Sequence, residues 1–98
     1  MFVNVIKSYR NVVAIADEDL IGKKFSEGKS QLDVKENFYK GENKDFNEIC
    51  EIIEDMKMED STFNIVGKES TNAALKVGLI NEEQIGMIDN IPFTLVLM

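Results

Sequence analysis

The residues most able to do chemistry in this chain crowd into one short stretch, ADEDLIGKKF, from Ala16 to Phe25. Its three consecutive carboxylates, Asp17, Glu18 and Asp19, are oxygen ligands of the kind that Mg²⁺ accepts. Consecutive side chains rarely converge on one ion, however, and a carboxylate also satisfies the amide donors at the start of a helical turn. We therefore interpret Asp17 as the N-cap of a turn. We expect no tightly bound metal and no cofactor.

The residues that follow, Gly22, Lys23 and Lys24, have two interpretations. A glycine that exposes its backbone beside two lysines could hold a phosphate, but the second glycine and the Ser or Thr of a phosphate-binding loop are missing. The interpretation that we favour is simpler. Gly22 ends the turn, and the two lysines extend into solvent on a fixed support.

A third candidate site lies in NIVGKEST, where Gly67 stands between a predicted strand and a predicted helix. The free backbone N–H groups at the start of a helix form a general anion site, which Lys68 would reinforce. Alternatively, the glycine permits close packing or a positive φ. Both interpretations stay open, and the possible anion-binding residues are Asn64, Gly67 and Lys68. Neither interpretation predicts a catalytic residue.

Two neighbouring aromatic residues, Phe38 and Tyr39, lie in a predicted loop that is rich in lysine. Aromatic rings among basic side chains stack on nucleic-acid bases or bind a protein partner. We expect Phe38 to fill the edge of the core and Tyr39 to contact a partner. Together with the lysines of the turn, the predicted partner-binding set is Lys23, Lys24, Lys35, Tyr39 and Lys40.

The charge of the chain restricts its partners. The net charge is −7, and it is divided unevenly: residues 1–44 hold eight basic and seven acidic side chains, whereas residues 45–98 hold three basic and eleven acidic ones. Tight direct binding of a duplex nucleic acid usually needs a basic surface, so we do not expect it here. The absence of histidine excludes the usual Ser–His and Cys–His nucleophiles within one chain. A single cysteine, Cys50, fits a reducing cytoplasm.

The elements that must position these residues follow from the apolar patterns. The run Val12–Ala16 predicts a central strand covered on both faces, and it is too short to cross a membrane. Apolar residues recur at helical spacing from Phe46 to Met56. The predicted strands are Phe2–Tyr9, Val12–Ala16, Ser30–Val34, Ser61–Gly67, Gln84–Ile88 and Phe93–Met98, the predicted helices are Asp45–Lys57 and Lys68–Val77, and Glu36–Lys44 is a predicted loop.

This order of elements predicts an α+β fold, a single two-layer domain over residues 1–98 with a mostly antiparallel sheet and two main helices. The side chains that we expect to be largely buried are apolar residues of the predicted strands and helices. They are Val13, Ile15, Phe46, Ile49, Ile53, Leu75, Leu95 and Leu97.

Four segments taken together resemble a small archaeal family, catalogued as domain of unknown function 424. The segments are ADEDLIGKKFSEG, ENFYKGE, FNIVGKESTNAALKVGLI and IDNIPFTLVLM, so the likeness runs over nearly the whole chain. No single motif is specific, but the order and spacing of the segments are. The resemblance implies an archaeal, cytoplasmic protein with no established activity, in a family expected to accompany translation or ribosome-assembly genes.

We therefore expect a non-enzymatic accessory domain that interacts with a protein or ribonucleoprotein component of the translation machinery. The alternative is a small enzyme or ligand-binding protein that holds a phosphate or nucleotide at the junction around Gly67. A deep pocket lined by Asn64, Lys68 and carboxylates would favour the alternative, and a flat surface would favour the interaction domain.

Overall fold

A six-stranded sheet organises the computed structural model, which describes residues 1–97. Its strand order is β5-β1-β2-β6-β8-β7, and every neighbouring pair is antiparallel except the central β2 and β6. A separate hairpin pairs β3 with β4. The strands are β1 (Phe2–Ile6), β2 (Asn11–Ala16), β3 (Lys24–Glu27), β4 (Ser30–Asp33), β5 (Glu42–Asn43), β6 (Ser61–Val66), β7 (Gly86–Ile88) and β8 (Ile91–Leu97).

Three helices accompany the strands: α1 (Glu36–Tyr39), α2 (Phe46–Met56) and α3 (Lys68–Lys76). The two longer ones, α2 and α3, pack against each other and cover one face of the sheet. The predicted fold class is confirmed, because the structure is α+β with a mostly antiparallel sheet and two main helices.

Helix α2 forms where its apolar spacing predicts it. Asp45 and Glu48 build a capping box, in which the Asp45 Oδ1 accepts from the Glu48 N–H at 2.8 Å and the Glu48 Oε1 accepts from the Asp45 N–H at 3.0 Å. Ile49 and Ile53 face the sheet and are fully buried, and Phe46 is half-buried. The predicted phase of this helix is therefore confirmed.

The opposite face of the sheet is covered along one end only. We call residues 18–40 the cover; they comprise a 3-10 turn (Glu18–Leu20), the β3–β4 hairpin and α1. The cover buries Ala14 and Ala16 of β2, while Val13 and Ile15 of the same strand lie beneath the helices. Strand β2 is thus covered on both faces, as its continuous apolar run predicts.

The cover differs from the sequence prediction in its local structure. The segment predicted as a loop, Glu36–Lys44, contains α1 and the short strand β5, and the charged stretch Lys24–Glu27 forms a strand that was not predicted. Tyr39, predicted to contact a partner, is 8 % exposed and packs with Val34 against the sheet, because α1 turns it inward. Phe38 is half-buried and packs against the same cluster, so it lies at the edge of the core as predicted.

The predicted burial of Leu95 and Leu97 is wrong. Their side chains are 57 % and 74 % exposed, respectively. Strand β8 is apolar on both faces, and its register with β6 places Thr94 opposite Ile65, on the helix side. Alternation along the strand then directs the two leucines to the other face, beyond the cover. Leu75, also predicted to be buried, is half-buried.

Candidate functional site

The parallel strands β2 and β6 end at the same edge of the sheet, and α3 begins there. Asp17 follows β2 and Gly67 follows β6. The Asp17 N–H donates to the Val66 carbonyl at 3.1 Å, and the Gly67 N–H donates to the Pro92 carbonyl at 2.8 Å. The carboxyl ends of parallel strands are the usual place for a binding site in mixed folds, and this edge is the candidate site.

The Asp17 carboxylate closes the start of α3. Its Oδ2 accepts from the Glu69 N–H at 3.1 Å, and its Oδ1 accepts from the Ser70 N–H at 2.9 Å and the Ser70 hydroxyl at 2.7 Å. The residue is only 8 % exposed. Asp17 makes no side-chain hydrogen bond to its own 3-10 turn, so the predicted cap belongs to α3 instead. An acceptor carboxylate there satisfies amide donors that no helical carbonyl can reach.

Gly67 is required by its backbone angle and by this carboxylate. Its φ is +109°, a region that side chains disfavour, and a Cβ added to it would overlap the Asp17 carboxylate. The Thr71 hydroxyl donates to the Gly67 carbonyl at 2.9 Å, which fixes the junction from the other side. Close packing and a positive φ therefore account for this glycine.

An open depression of about 540 Å³ lies over the junction, and its lining is mostly acidic: Met1, Asp17, Glu18, Asp19, Lys68 and Glu69. The structure brings Gly67 and Lys68 together beside it. Asn64 does not join them, because it sits within β6, paired with Ala14 and Leu95. An anion entering here would meet carboxylates, and two of the amides would already be donating to Asp17.

The three consecutive carboxylates of the opening stretch point to different partners. While Asp17 binds α3, the Glu18 Oε1 accepts from the Asn43 side chain at 3.3 Å. Within residues 1–97, no three His, Cys, Asp or Glu side chains converge in a way that could hold a metal ion. The expectation that the chain binds no metal tightly stays a prediction for metal analysis of the purified protein.

The predicted lysines lie on the cover, and we call Lys23, Lys24, Lys35 and Lys40 the lysine surface. All four side chains are exposed. The backbones of the first three are neighbours at the base of the hairpin, because the Val34 N–H donates to the Lys23 carbonyl at 2.9 Å. Lys24 Nζ lies 4.0 Å from Asp33 Oδ2.

Lys40 follows α1, and its Nζ lies 5.9 Å from the centre of the Phe2 ring. Tyr39, predicted with these lysines, is buried against the sheet and does not share their exposure. Burial raises the pKa of the Tyr39 phenol above its ordinary value, and the nearby Asp33 charge adds to this effect. The phenol is thus held neutral over a wider pH range than an exposed tyrosine would be.

Sequence reasoning missed the part that Ser70 takes in the site. Its amide and its hydroxyl both bind Asp17, across 53 positions of sequence. The only local signal is a serine in the first turn of a predicted helix, and nothing in the sequence indicates that the acceptor is so distant. The parallel pairing of β2 with β6 has to be known first.

The fold and the junction define a class: an α+β domain in which a buried carboxylate from one central strand closes the helix that follows the other. The chain belongs to the family described as "Protein of unknown function (DUF424)", which it matches over residues 6–98. The predicted family is therefore confirmed.

A solved structure shows the same fold. It is the crystal structure of an uncharacterized conserved protein from Methanopyrus kandleri, with a TM-score of 0.86 and 23 % sequence identity over 97 % of this chain and 88 % of the other. No curated protein matches the sequence. Among residues 1–97, no helix has the length and apolar character needed to span a membrane.

Proposed function

We propose that this protein is a non-enzymatic interaction domain that binds a component of the translation machinery through the lysine surface. The observation that supports the proposal is that Lys23, Lys24 and Lys35 are all exposed and that their backbones are neighbours at the base of the β3–β4 hairpin. The hairpin and the packed ring of Tyr39 hold their backbone in place, so little order must be gained when a partner binds.

The distribution of charge supports the same proposal. The lysine surface lies on the cover, whereas the exposed carboxylates of α2 (Glu48, Glu51, Glu54 and Asp55) lie on the helix side of the sheet. Residues 18–40 hold five basic and five acidic side chains, so an anionic partner would be repelled less by the cover than by α2, which favours approach from the cover. The net charge of −7 argues against indiscriminate binding to RNA.

A charge reversal tests this proposal. We expect Lys23→Glu with Lys24→Glu to weaken co-sedimentation with ribosomal particles from an archaeal lysate, and we expect binding of the unaltered chain to weaken as salt rises. The matched control is Glu51→Lys with Glu54→Lys, which changes the charge of the helix side and should have a much smaller effect. Equal losses from both pairs, or no loss from the lysine pair, would refute the proposal.

The alternative function, a phosphate or nucleotide held at Asn64, Gly67 and Lys68, draws less support from the geometry. Asn64 lies away from the depression, and Asp17 already accepts hydrogen bonds from the start of α3. Titration of the protein with a millimolar nucleotide panel tests it directly. Under the alternative, the amide NMR signals of Gly67 and Lys68 would shift; under our proposal, they stay in place.

A further inference from the structure

Strand β1 has a free stretch along its outer edge. Strand β5 pairs only with Phe2 and Val3, whereas β2 pairs with β1 along its whole length. The Lys44 N–H donates to the Met1 carbonyl at 2.8 Å, so Met1 directs its backbone towards β5. Successive residues of a strand direct their backbone groups to alternate sides. The Val5 N–H and C=O therefore point outward, past the end of β5, where no strand within residues 1–97 pairs with them.

Gly41 ends the pairing at this point. A Cβ on Gly41 would overlap the Val3 carbonyl, so the glycine lets the chain pass close to β1 immediately before β5. Lys40, the residue before it, ends α1, which belongs to the cover on the other face of the sheet. Because the chain arrives from the cover and reaches β1 only at Gly41, the edge beside Val5 stays open.

A groove of about 390 Å³ lies beside the open edge, between β1 and α2. Its volume is within the range of roughly 300–1,000 Å³ that is typical of ligand pockets. The apolar part of the lining comes from Val3, Val5, Ile52 and Met56. The groove therefore offers space for one bulky apolar side chain next to unpaired backbone groups.

Two charges of opposite sign also line the groove, Lys7 and Asp55. Both side chains are exposed, and neither forms an ion pair within residues 1–97. Glu42 also lines the groove, but its Oε2 already lies 3.3 Å from the Lys44 ammonium. A ligand that complements this groove would thus carry an acidic group for Lys7 and a basic group for Asp55.

We propose that the groove binds an extended peptide segment of a partner protein by strand addition to β1. The peptide backbone pairs with Val5, a bulky apolar side chain enters between Ile52 and Met56, and flanking charged residues meet Lys7 and Asp55. Strand addition obtains affinity from backbone hydrogen bonds and specificity from the side-chain pocket, and this groove has both parts. The inference does not depend on the lysine surface, because the groove lies on the helix side of the sheet.

The first test selects a phage-displayed library of random dodecapeptides on the immobilised full chain. We expect the enriched peptides to share a bulky apolar residue with an acidic and a basic residue nearby. The enriched peptide, synthesised with a fluorescent label, should then slow hydrogen exchange of the Val5 amide. Failure to enrich such a pattern, or binding that leaves the Val5 amide unprotected, would overturn the proposal. Self-association that protects this amide without peptide would overturn it in favour of a second copy.

The second test reverses one charge. Asp55→Lys should weaken binding of the labelled peptide by about two- to fivefold, as expected for one exposed ion pair. A peptide in which the basic residue is replaced by Glu should recover the affinity for this variant. Glu51→Lys is the matched control, because Glu51 is exposed on the same helix outside the groove, and it should leave the affinity unchanged. Equal losses in both variants would contradict the proposed position of the peptide.

The two proposals are separable in the same assay. The Lys23→Glu and Lys24→Glu double variant should bind the labelled peptide as tightly as the unaltered chain does. If it binds equally well but ribosomal co-sedimentation is also unaffected, only the function proposed for the lysine surface fails. If this variant loses the peptide, the peptide binds on the cover and the groove proposal fails.

Discussion

Helices α2 and α3 begin in two different ways. The start of α2 is closed by Asp45 and Glu48, which lie three residues apart and bond to each other's backbone. The start of α3 is closed by Asp17, which lies 53 residues before Ser70 in the sequence. The first arrangement is local, whereas the second exists only when β2 and β6 are paired. The cap of α3 therefore depends on correct pairing of the sheet, and the cap of α2 does not.

The largest expected effect tests the long-range cap. Asp17→Ala leaves two amides and a hydroxyl without their acceptor at a buried position, and it should lower the free energy of unfolding by about 3 to 5 kcal/mol. Urea denaturation measures the change. Asp19→Ala is the control, because Asp19 is exposed, and it should change stability by less than about 0.5 kcal/mol. Similar costs for the two variants would contradict the assigned role of Asp17.

The next effect concerns the residue beneath the cap. Gly67→Ala should cost about 2 to 4 kcal/mol, because it adds a strained φ and an overlap with the Asp17 carboxylate. Gly28→Ala is the control, since Gly28 also has a positive φ but has open space around it. Combined with Asp17→Ala, the Gly67 substitution should cost less than it does alone. Additive costs would show that the overlap is unimportant.

The local cap should matter less. Asp45→Ala removes one hydrogen bond at an exposed helix start, and it should cost about 1 kcal/mol in the same urea experiment. Asp45→Asn retains an acceptor and should be nearly neutral. A cost as large as that of Asp17→Ala would abolish the distinction between the two helix starts.

The smallest effect separates the cover from both helix starts. The raised pKa of Tyr39 means that, in alkali, the folded protein retains a proton that the unfolded chain releases. The contribution to stability is complete below the unfolded pKa of about 10 and is lost as pH rises through the folded pKa. Stability of the unaltered chain should therefore fall more steeply above about pH 10 than that of Tyr39→Phe.

Tyr9→Phe supplies the control for this measurement, because Tyr9 is fully exposed in the β1–β2 turn. This variant should retain the steep alkaline fall. It also leaves Tyr39 as the one tyrosine of the chain, so an absorbance titration reports its phenol alone. A phenol midpoint at or below the ordinary value would show that Tyr39 is not buried in solution.

Features that depend on neighbouring residues could be predicted from the sequence. The phase of α2 follows from apolar residues three and four positions apart, and α3 ends at Lys76, one residue before the predicted end at Val77. The central position of β2 follows from its continuous apolar run. In each case, the information lies within a few residues of the element that it determines.

Features that depend on distant pairing could not be predicted in this way. The sequence is equally consistent with Asp17 as the cap of its own turn and as the cap of α3, because it does not reveal that β2 lies parallel to β6. The prediction that Leu95 and Leu97 are buried was wrong, because either face of an apolar strand could face the core. Only the register with β6 decides between the two faces. Tyr39 is turned inward by α1, a single helical turn that the polar residues around it in the sequence do not predict.

The parallel pairing of β2 with β6 has a consequence for synthesis of the chain. Strand β2 is made early, whereas β6, which carries the core residue Phe63, begins only at residue 61. At translation rates of about 5–20 residues per second, the 50 residues from the end of β2 at residue 16 to the end of β6 at residue 66 take roughly 2.5 to 10 s to appear. During that interval, the β1–β2 hairpin lacks its central neighbour. The nascent chain should therefore resist protease only once β6 has emerged and paired with β2.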